Sequence, residues 1–187
     1  TPDLAHAIVR AARQGLEDWA GGQSIHSQGF KPSRIEFIHT LNHSRSGVPV
    51  VPRRLLPLSI KTRLGFDCVV VERWVEHLLA ARPAAITLHG RTLQQMYRGA
   101  ADWSAIAEAA KLAHGTGTLM LGNGDLNTLV DAIRRAAESK VQGVLVGRGT
   151  LGSPWFFREK EQARRAFSER DDLPTLPAAA WEPQVSV

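Results

Sequence analysis

Four short apolar runs, separated by segments with helical periodicity, form the regular part of the chain. The runs span residues 58–60, 85–88, 119–121 and 144–146. In the first segment between them, apolar residues recur every three or four positions, as at Val71, Val75 and Leu78. Short strands that alternate with amphipathic helices are typical of a parallel sheet in an α/β fold. We therefore predict an α/β domain over residues 57–170.

The first 56 residues have a different character. Thr1 can cap a helix and Pro2 suits its first position, so we predict a helix over residues 1–20. Its apolar face comprises Leu4, Ile8, Ala11, Ala12 and Trp19. Residues 21–56 are rich in Gly, Ser, His, Asn and Pro, and only residues 35–38 have the pattern of a strand. We expect an insertion or an irregular loop there.

Beyond the fourth apolar run we expect one more helix, which follows Pro154 and ends near residue 167. The Pro- and Ala-rich sequence of residues 171–187 is typical of a disordered tail. A complete eight-stranded parallel barrel needs about 250 residues, whereas this chain has 187. A barrel of that kind would therefore not close with these residues alone.

Composition and charge narrow the class of protein. With 43% hydrophobic and 22% charged residues, the chain has the composition of a soluble globular domain. A net charge of +5 permits attraction to RNA without demanding it, and an arginine-rich solvated surface explains it equally well. The single cysteine, Cys68, excludes an intramolecular disulfide and a multi-cysteine metal site, so we expect no metal and a cytoplasmic location. No apolar run approaches the roughly 18 residues of a membrane span.

Each predicted strand is followed by polar or glycine-containing sequence. These clusters are Lys61-Thr62-Arg63, His89-Gly90-Arg91, Gly122-Asn123-Gly124-Asp125 and Gly147-Arg148-Gly149. In parallel α/β folds, ligands bind at the carboxyl ends of the strands. We therefore expect the four clusters to converge on one site.

The last two clusters have the features of a phosphate cradle. Glycines allow backbone N–H groups to approach an oxyanion closely, and barrels often bind phosphate after strands seven and eight. Arg148 adds a forked, permanently charged donor for phosphate oxygens. Either glycine cluster alone would more often be an ordinary turn, but the pair favours an anion site.

Lys61 and His89 follow neighbouring strands, where a cofactor ring would lie above such a cradle. A cation near the N1 and O2 edge of a flavin stabilises its reduced form, a role that suits Lys61. The alternatives are a salt bridge at the rim for Lys61 and a hydrogen-bonded core histidine for His89. From the residues alone, both alternatives remain open.

At these positions the sequence resembles the tRNA-dihydrouridine synthases. The resemblance covers residues 58–157 and follows the order and spacing of several motifs. They are Ser59-Ile60-Lys61-Thr62-Arg63-Leu64-Gly65, Ile86-Thr87-Leu88-His89-Gly90-Arg91-Thr92, Gln95, Tyr97, Gly99, Ala101-Asp102-Trp103, Gly122-Asn123-Gly124-Asp125, Val146-Gly147-Arg148-Gly149, Gly152 and Pro154-Trp155. The combination is far more specific than any one of its elements.

The resemblance implies a partial TIM (β/α)8 barrel, with strands that correspond roughly to strands five to eight and with the 1–20 helix before the fifth. It also implies an FMN-dependent enzyme that reduces uridine to dihydrouridine in tRNA, with NADPH as the reductant. Lys61 and His89 would contact the flavin ring. Asn123, Gly124, Asp125, Gly147 and Arg148 would hold its phosphate. Arg63, Arg91 and Tyr97 would face the RNA substrate. The target base would have to be turned out of its stack into the pocket.

The sequence also departs from the family pattern. The family's proton donor is a cysteine in an Asn-x-Gly-Cys-Pro motif on the fourth strand, and these 187 residues contain no such motif. The family's amino-terminal flavin-binding segment and carboxy-terminal helical domain are likewise not recognisable, so we expect a fragment without activity of its own. Cys68 is a weak substitute for the acid, because an unpaired cysteine is more often a packing residue and Asp67 opposes thiolate formation.

Three interpretations follow. The first is a tRNA-dihydrouridine synthase that is truncated and inactive alone. The second is a non-catalytic half-barrel that binds RNA weakly or associates with itself through its open sheet edges. The third is another FMN-barrel oxidoreductase, against which the Gln95, Tyr97 and Ala101-Asp102-Trp103 segment argues.

Overall fold

The computed structural model describes residues 1–44, 52–153 and 155–158 and has an α/β architecture. In chain order its elements are α1 (Pro2–Ala20), a 3₁₀ turn (Ile25–Gln28), α2 (Pro32–Ser44), β1 (Ser59–Arg63), α3 (Val71–Ala80), β2 (Ala85–His89), α4 (Trp103–Ala113), β3 (Leu119–Asn123), α5 (Leu129–Ser139), β4 (Gly143–Leu145) and a second 3₁₀ turn (Arg148–Thr150). The four predicted strands and the helices between them are confirmed. The strand ends move by up to three residues, so that β1 includes Lys61, Thr62 and Arg63.

The strands form one parallel sheet in the order β1-β2-β3-β4. This is the arrangement of consecutive strands in a (β/α)8 barrel, and it is consistent with a partial TIM barrel. The register pairs Arg63 with His89, and His89 with Asn123. These residues therefore lie in one row across the carboxyl ends of three neighbouring strands.

The hydrophobic core lies between one face of the sheet and helices α3, α4 and α5. Its most buried side chains are Leu64, Val75, Leu78, Ile86, Leu88, Ile106 and Met120. Alternate strand residues point to opposite faces, so Ile86 and Leu88 of β2 point to the helices while Thr87 and His89 point away. A hydrogen bond of 2.8 Å from Trp74 Nε1 to Thr62 Oγ1 ties α3 to β1.

The expectation of a strand at residues 35–38 is wrong, because these residues lie inside helix α2. The segment holds both β-branched and aromatic residues, which favour a strand, but no strand within the described ranges pairs with it. All side chains of α2 are at least partly exposed, and the helix follows a 3₁₀ turn. The 21–44 part of the expected irregular loop is therefore largely ordered, whereas residues 45–51 lie outside the described residues.

Helix α1 has the expected bounds, but it does not bury the expected face. Its buried residue is Val9, whereas Leu4 and Ile8 are 59% and 60% exposed. The physical reason is its partner: α1 contacts α3, where His6 stacks on His77 with ring centroids 3.8 Å apart. Of the expected apolar face, Ile8 and Ala12 border an open groove beside β1, whose outer edge has no paired strand among the described residues.

At the carboxyl end, Phe156 is 5% exposed and lies within the short helical stretch that the structure describes. Most of the helix expected after Pro154, and the tail expected over 171–187, lie outside the described residues. Within the described part of the chain, no helix combines the length and the apolar character that crossing a lipid bilayer requires.

Candidate functional site

The sheet brings the sequence-predicted residues of three strands together on its helix-free face. Lys61 and Arg63 alternate with the helix-facing Thr62 in β1, and His89 and Asn123 occupy the last positions of β2 and β3. Lys61 Nζ lies 3.3 Å from Asn123 Oδ1, and Asn123 Nδ2 donates to the carbonyl of Leu145 at 2.8 Å. A hydrogen-bonded row therefore runs from β1 across the sheet to β4.

Positive charge accumulates at this end of the sheet. Partial burial, and then the nearby charge of Arg63, lower the pKa of Lys61. Arg63 itself donates from Nη1 to the carbonyl of Thr92 at 2.9 Å, which fixes its guanidinium at the same end. A cluster of this kind favours an anionic ligand, because such a ligand would relieve the mutual repulsion of the cations.

His89 lies in the middle of this cluster and is neutral at pH 7. Burial, followed by the charges of Arg63, Lys61 and Arg91, lowers its pKa to about 4, and the charge of Asp125 opposes this only in part. A neutral imidazole offers one donor and one acceptor to a polar ring edge. His89 therefore has the hydrogen-bonding capacity to bind a heterocycle, but it is a poor proton donor at neutral pH.

The turn after β3 has a backbone that requires glycine. Gly124 has φ +132, and a Cβ there would lie 2.6 Å from Ala101 Cβ and 3.1 Å from His89 Cδ2. The Nε1 of Trp103 donates to the Gly124 carbonyl at 3.0 Å, in a buried hydrogen bond. The turn is therefore fixed in place by its neighbours and passes close to the His89 ring.

Asp125 links this turn to two arginines. Its Oδ2 accepts bonds of 2.7 Å from both the Ala101 N–H and Arg91 Nη2, and its Oδ1 lies 3.4 Å from Arg148 Nη2. Burial alone would raise the pKa of Asp125, but the Ala101 N–H and the Arg91 and Arg148 guanidinium groups outweigh burial and hold it below the usual range. The carboxylate is therefore ionised and engaged at both oxygens.

Arg148 and Tyr97 cover the outer side of the turn. The guanidinium carbon of Arg148 lies 4.9 Å from the centroid of the Tyr97 ring, which is the geometry of a cation–π contact. Together they line a cavity of about 160 Å³. Its other walls are His89, Asn123, Gly124, Asp125, Leu126, Asn127, Leu145 and Gly147. All five residues predicted for the phosphate cradle thus share one cavity.

Arg91 is located differently from the other predicted substrate residues. It is only 3% exposed, and its Nη2 donates to the Gly99 carbonyl at 2.6 Å as well as to Asp125. By contrast, Tyr97 is 67% exposed and Arg63 is half-buried. Burial leaves Arg91 without direct access to a large substrate, and its contacts indicate a bracing role for the segment between β2 and α4.

Cys68 is exposed and lines a separate, more open cleft with Asp67, Val69, Thr92, Gln94, Gln95 and Arg98. None of the residues of the phosphate cradle lines this cleft. A hydrogen bond with the Asp67 side chain, and then the charge of that side chain, raise the pKa of the Cys68 thiol. The expectation that Asp67 opposes thiolate formation is confirmed.

Two features of the site escaped sequence reasoning. The Tyr97–Arg148 stack joins residues from different loops, and no local pattern signals it. Trp103 is part of the apolar stripe of α4, yet its indole also packs where a Gly122 Cβ would be, 2.5 Å from such an atom. The signal available was the glycine itself inside an apolar strand, which often marks a close approach by another group.

No group of three or more His, Cys, Asp or Glu side chains within the described residues is arranged to hold a metal ion.

Comparison with known proteins points to one family. The family model described as Dihydrouridine synthase (Dus) matches residues 43–181. A "Probable tRNA-dihydrouridine synthase" of Aquifex aeolicus is 40% identical over 109 residues, which cover 58% of this chain and 34% of that protein. One of the same name from Rhodobacter capsulatus is 38% identical over 130 residues, covering 67% of this chain and 37% of that protein.

A more distant relative carries a more specific name. The "tRNA-dihydrouridine(47) synthase [NAD(P)(+)]" of Neurospora crassa is 34% identical over 140 residues, which cover 56% of this chain and 19% of that protein. The chain thus spans about a third or less of the length of these curated relatives. What the whole relatives do therefore passes to this chain only as a proposal.

Proposed function

The chain belongs to the dihydrouridine synthase family, and from this premise we propose that it binds FMN at the carboxyl ends of its strands, within the machinery that reduces uridine in tRNA to dihydrouridine. The observation that carries the proposal is the convergence of Lys61, His89, Asn123 and Arg148 on one end of the sheet. The family membership disfavours the third interpretation, another FMN-barrel oxidoreductase.

The site fits the phosphate end of the cofactor. A cavity of about 160 Å³ is too small for a whole drug-sized ligand, which needs about 300 Å³ or more, but it suits an anionic terminus. Beside Gly147 there is open space, because a Cβ added there would meet nothing within 4 Å. Arg148, 58% exposed, keeps donors free for phosphate oxygens.

The rest of the cofactor would lie along the helix-free face of the sheet. We propose that Lys61 and the neutral His89 donate to the polar edge of the ring, while Asn123 holds Lys61 in place. Once reduced by NADPH, a bound FMN would supply a hydride to the uracil ring, and a separate acid would supply the accompanying proton. Partial burial and the charge of Arg63 disfavour the Lys61 ammonium and lower its pKa, and an electron-rich ring edge beside it would offset both effects.

The substrate we propose is a uridine of tRNA that is turned out of its stack. Tyr97 offers an exposed aromatic face and Arg63 a positive charge at the same end of the sheet. Base stacking on aromatic side chains and phosphate contacts by arginine are the usual elements of such recognition. Arg91 would support this surface from below instead of contacting RNA.

We further propose that this chain by itself does not complete the reaction. The 187 residues contain no Asn-x-Gly-Cys-Pro motif, and Cys68 lies in a different cleft from the cradle. His89, with a pKa of about 4, is not a proton donor at pH 7. The acid and the remaining strands would have to come from residues other than these 187.

The test separates cofactor binding from catalysis. Titration of the purified chain into FMN should quench flavin fluorescence and saturate, and Lys61→Met and Arg148→Ala should weaken the affinity. Reduced flavin on this chain should not be reoxidised by tRNA, and no dihydrouridine should form. Failure of the wild-type chain to bind FMN contradicts the first proposal, and dihydrouridine formation contradicts the second. In that case Cys68→Ala tests whether Cys68 is the acid.

A second candidate function rests on the open sheet. The outer edges of β1 and β4 are unpaired among the described strands, and Leu119 on the helix-free face is 50% exposed. Unpaired edges and apolar surface favour association. If the chain is a non-catalytic module that self-associates, light scattering will show concentration-dependent oligomers that do not bind FMN. A monomer that binds FMN contradicts this alternative.

A further inference from the structure

Asp125 is an unusual neighbour for a phosphate. Its carboxylate is ionised, and both its oxygens are already occupied by the Ala101 N–H, Arg91 and Arg148. A phosphate in direct contact with this group would be repelled by it, since like charges destabilise each other in a partly buried site. Direct cofactor contact is therefore a poor explanation for an aspartate in the cradle.

The contacts of Asp125 instead hold other groups in place. Asp125 has φ +51, in the left-handed region, and its carboxylate lies between two loops. The 2.7 Å bond to Arg91 and the 2.7 Å bond to Ala101 N connect it to the segment between β2 and α4, which also carries Tyr97. The 3.4 Å contact with Arg148 connects it to the turn after β4.

Arg148 is thereby restrained on two sides. One edge of its guanidinium faces Asp125 Oδ1, and the group lies 4.9 Å above the Tyr97 ring. A planar guanidinium held at one edge and one face has its remaining N–H groups confined to one direction. The confinement lowers the conformational entropy that binding would otherwise remove from a long, 58% exposed side chain.

We propose that Asp125 and Tyr97 are positioning residues, which hold Arg148 ready for the phosphate of the bound nucleotide. The inference deepens the proposed FMN site and rests on it. It assigns Asp125 to the organisation of an arginine instead of to a cofactor contact, and it gives Tyr97 the same role on the ring face that meets Arg148. The effect of these two residues on ligand affinity must therefore depend on the phosphate of the ligand.

The experiment compares FMN with riboflavin, which has the same ring without the phosphate. Dissociation constants are measured by flavin fluorescence for the wild type, Tyr97→Ala, Tyr97→Phe and Asp125→Asn. Tyr97→Ala should weaken the affinity for FMN by up to about two- to fivefold, which is the full energy of a cation–π contact at an exposed site, and leave the affinity for riboflavin unchanged. Tyr97→Phe retains the ring and should restore wild-type FMN affinity.

The direction in which Asp125→Asn changes the affinity for FMN is a sharper test. If the carboxylate organises Arg148, FMN affinity falls at least as much as in Tyr97→Ala. If its charge mainly repels the phosphate, FMN binds more tightly, which would overturn the proposal. Glu108→Gln is the matched control, because it also removes one carboxylate from an ion pair, with Lys111 at 2.7 Å on the exposed side of α4. It should change the affinity for neither flavin. Because Asp125→Asn deprives buried Arg91 of its partner and could unfold the chain, the two Tyr97 variants test the proposal independently.

Other outcomes also decide the matter. An equal loss for FMN and riboflavin in Tyr97→Ala would overturn the inference while leaving flavin binding intact. If the wild-type chain binds neither flavin, the proposed function fails, and inorganic phosphate then becomes the probe. Phosphate should shift the Arg148 Nε–H resonance in a saturable way in the wild type and more weakly in Tyr97→Ala; the absence of that difference would overturn the inference.

Discussion

Replacing Gly124 by alanine perturbs the turn after β3 in two calculable ways. Gly124 has φ +132, a conformation that is nearly restricted to glycine and that strains an alanine by about 1–3 kcal/mol. The new Cβ would also lie 2.6 Å from Ala101 Cβ, and relief of such overpacking costs about 1–3 kcal/mol. Alanine also reduces the conformational freedom of the unfolded chain, which offsets less than about 1 kcal/mol of this destabilisation.

The net prediction is a loss of about 2–5 kcal/mol from the free energy of unfolding, a large part of the 5–15 kcal/mol that typical domains have. Because the Cβ would also press on the His89 ring, at 3.1 Å from Cδ2, FMN binding should weaken as well. Urea unfolding followed by far-ultraviolet circular dichroism measures the first effect.

Gly15→Ala is the matched control, because it makes the same chemical change in the interior of α1 where a Cβ meets nothing within 4 Å. It should stabilise the helix by about 0.5–1 kcal/mol, which is the helical preference of alanine over glycine. A lower free energy of unfolding for Gly124→Ala, together with a higher one for Gly15→Ala, supports the geometry of the turn. A Gly124→Ala protein within about 0.5 kcal/mol of the wild type would refute the argument from strain and crowding.

Three further predictions test separate features of the site and its scaffold. The pKa of His89 falls from 6.5 to about 4 on folding, so its contribution to the free energy of unfolding should be complete above pH 6.5 and decline towards pH 4. After allowance for solvent screening, the expected loss is about 1–2 kcal/mol. Urea unfolding at pH 7 and pH 4.5 should show this loss, and His89→Asn should lack it. Asp102→Ala removes the side-chain cap of α4 and should lower the free energy of unfolding by about 1 kcal/mol. Thr1→Ala should change it little, because the Thr1 side chain makes no capping hydrogen bond. Thermal unfolding compares the two variants. Asp67→Asn should speed alkylation of Cys68 by iodoacetamide at pH 8, because the raised pKa of the thiol comes mainly from Asp67, and an unchanged rate would contradict that cause.

The sheet and the positions of its functional residues follow from sequence because both depend on local pattern. Short apolar runs between amphipathic segments specify a parallel sheet, and the parallel arrangement itself places Lys61, His89 and Asn123 at one edge. The residues after β3 and β4 carry glycines whose need for close approach is visible without a structure.

The parts that sequence could not specify depend on tertiary partners. The strand expected at residues 35–38 became a helix, since a strand needs a neighbour that this segment lacks among the described residues. The packed face of α1 depends on α3 and not on the periodicity of α1 alone. Likewise, the burial of Arg91 and the stack of Arg148 on Tyr97 result from the folding of one loop over another.

The central claim is that the carboxyl ends of the four strands hold one flavin nucleotide, with its phosphate between the turns after β3 and β4. Titration of the ¹⁵N-labelled chain with FMN, followed by two-dimensional amide NMR, tests this claim most directly. The account predicts saturable shifts that are largest at Gly124, Gly147 and Arg148 and at the side-chain amide of Asn123. Unchanged resonances at these four residues, with shifts confined to another surface such as the cleft beside Cys68, would contradict it.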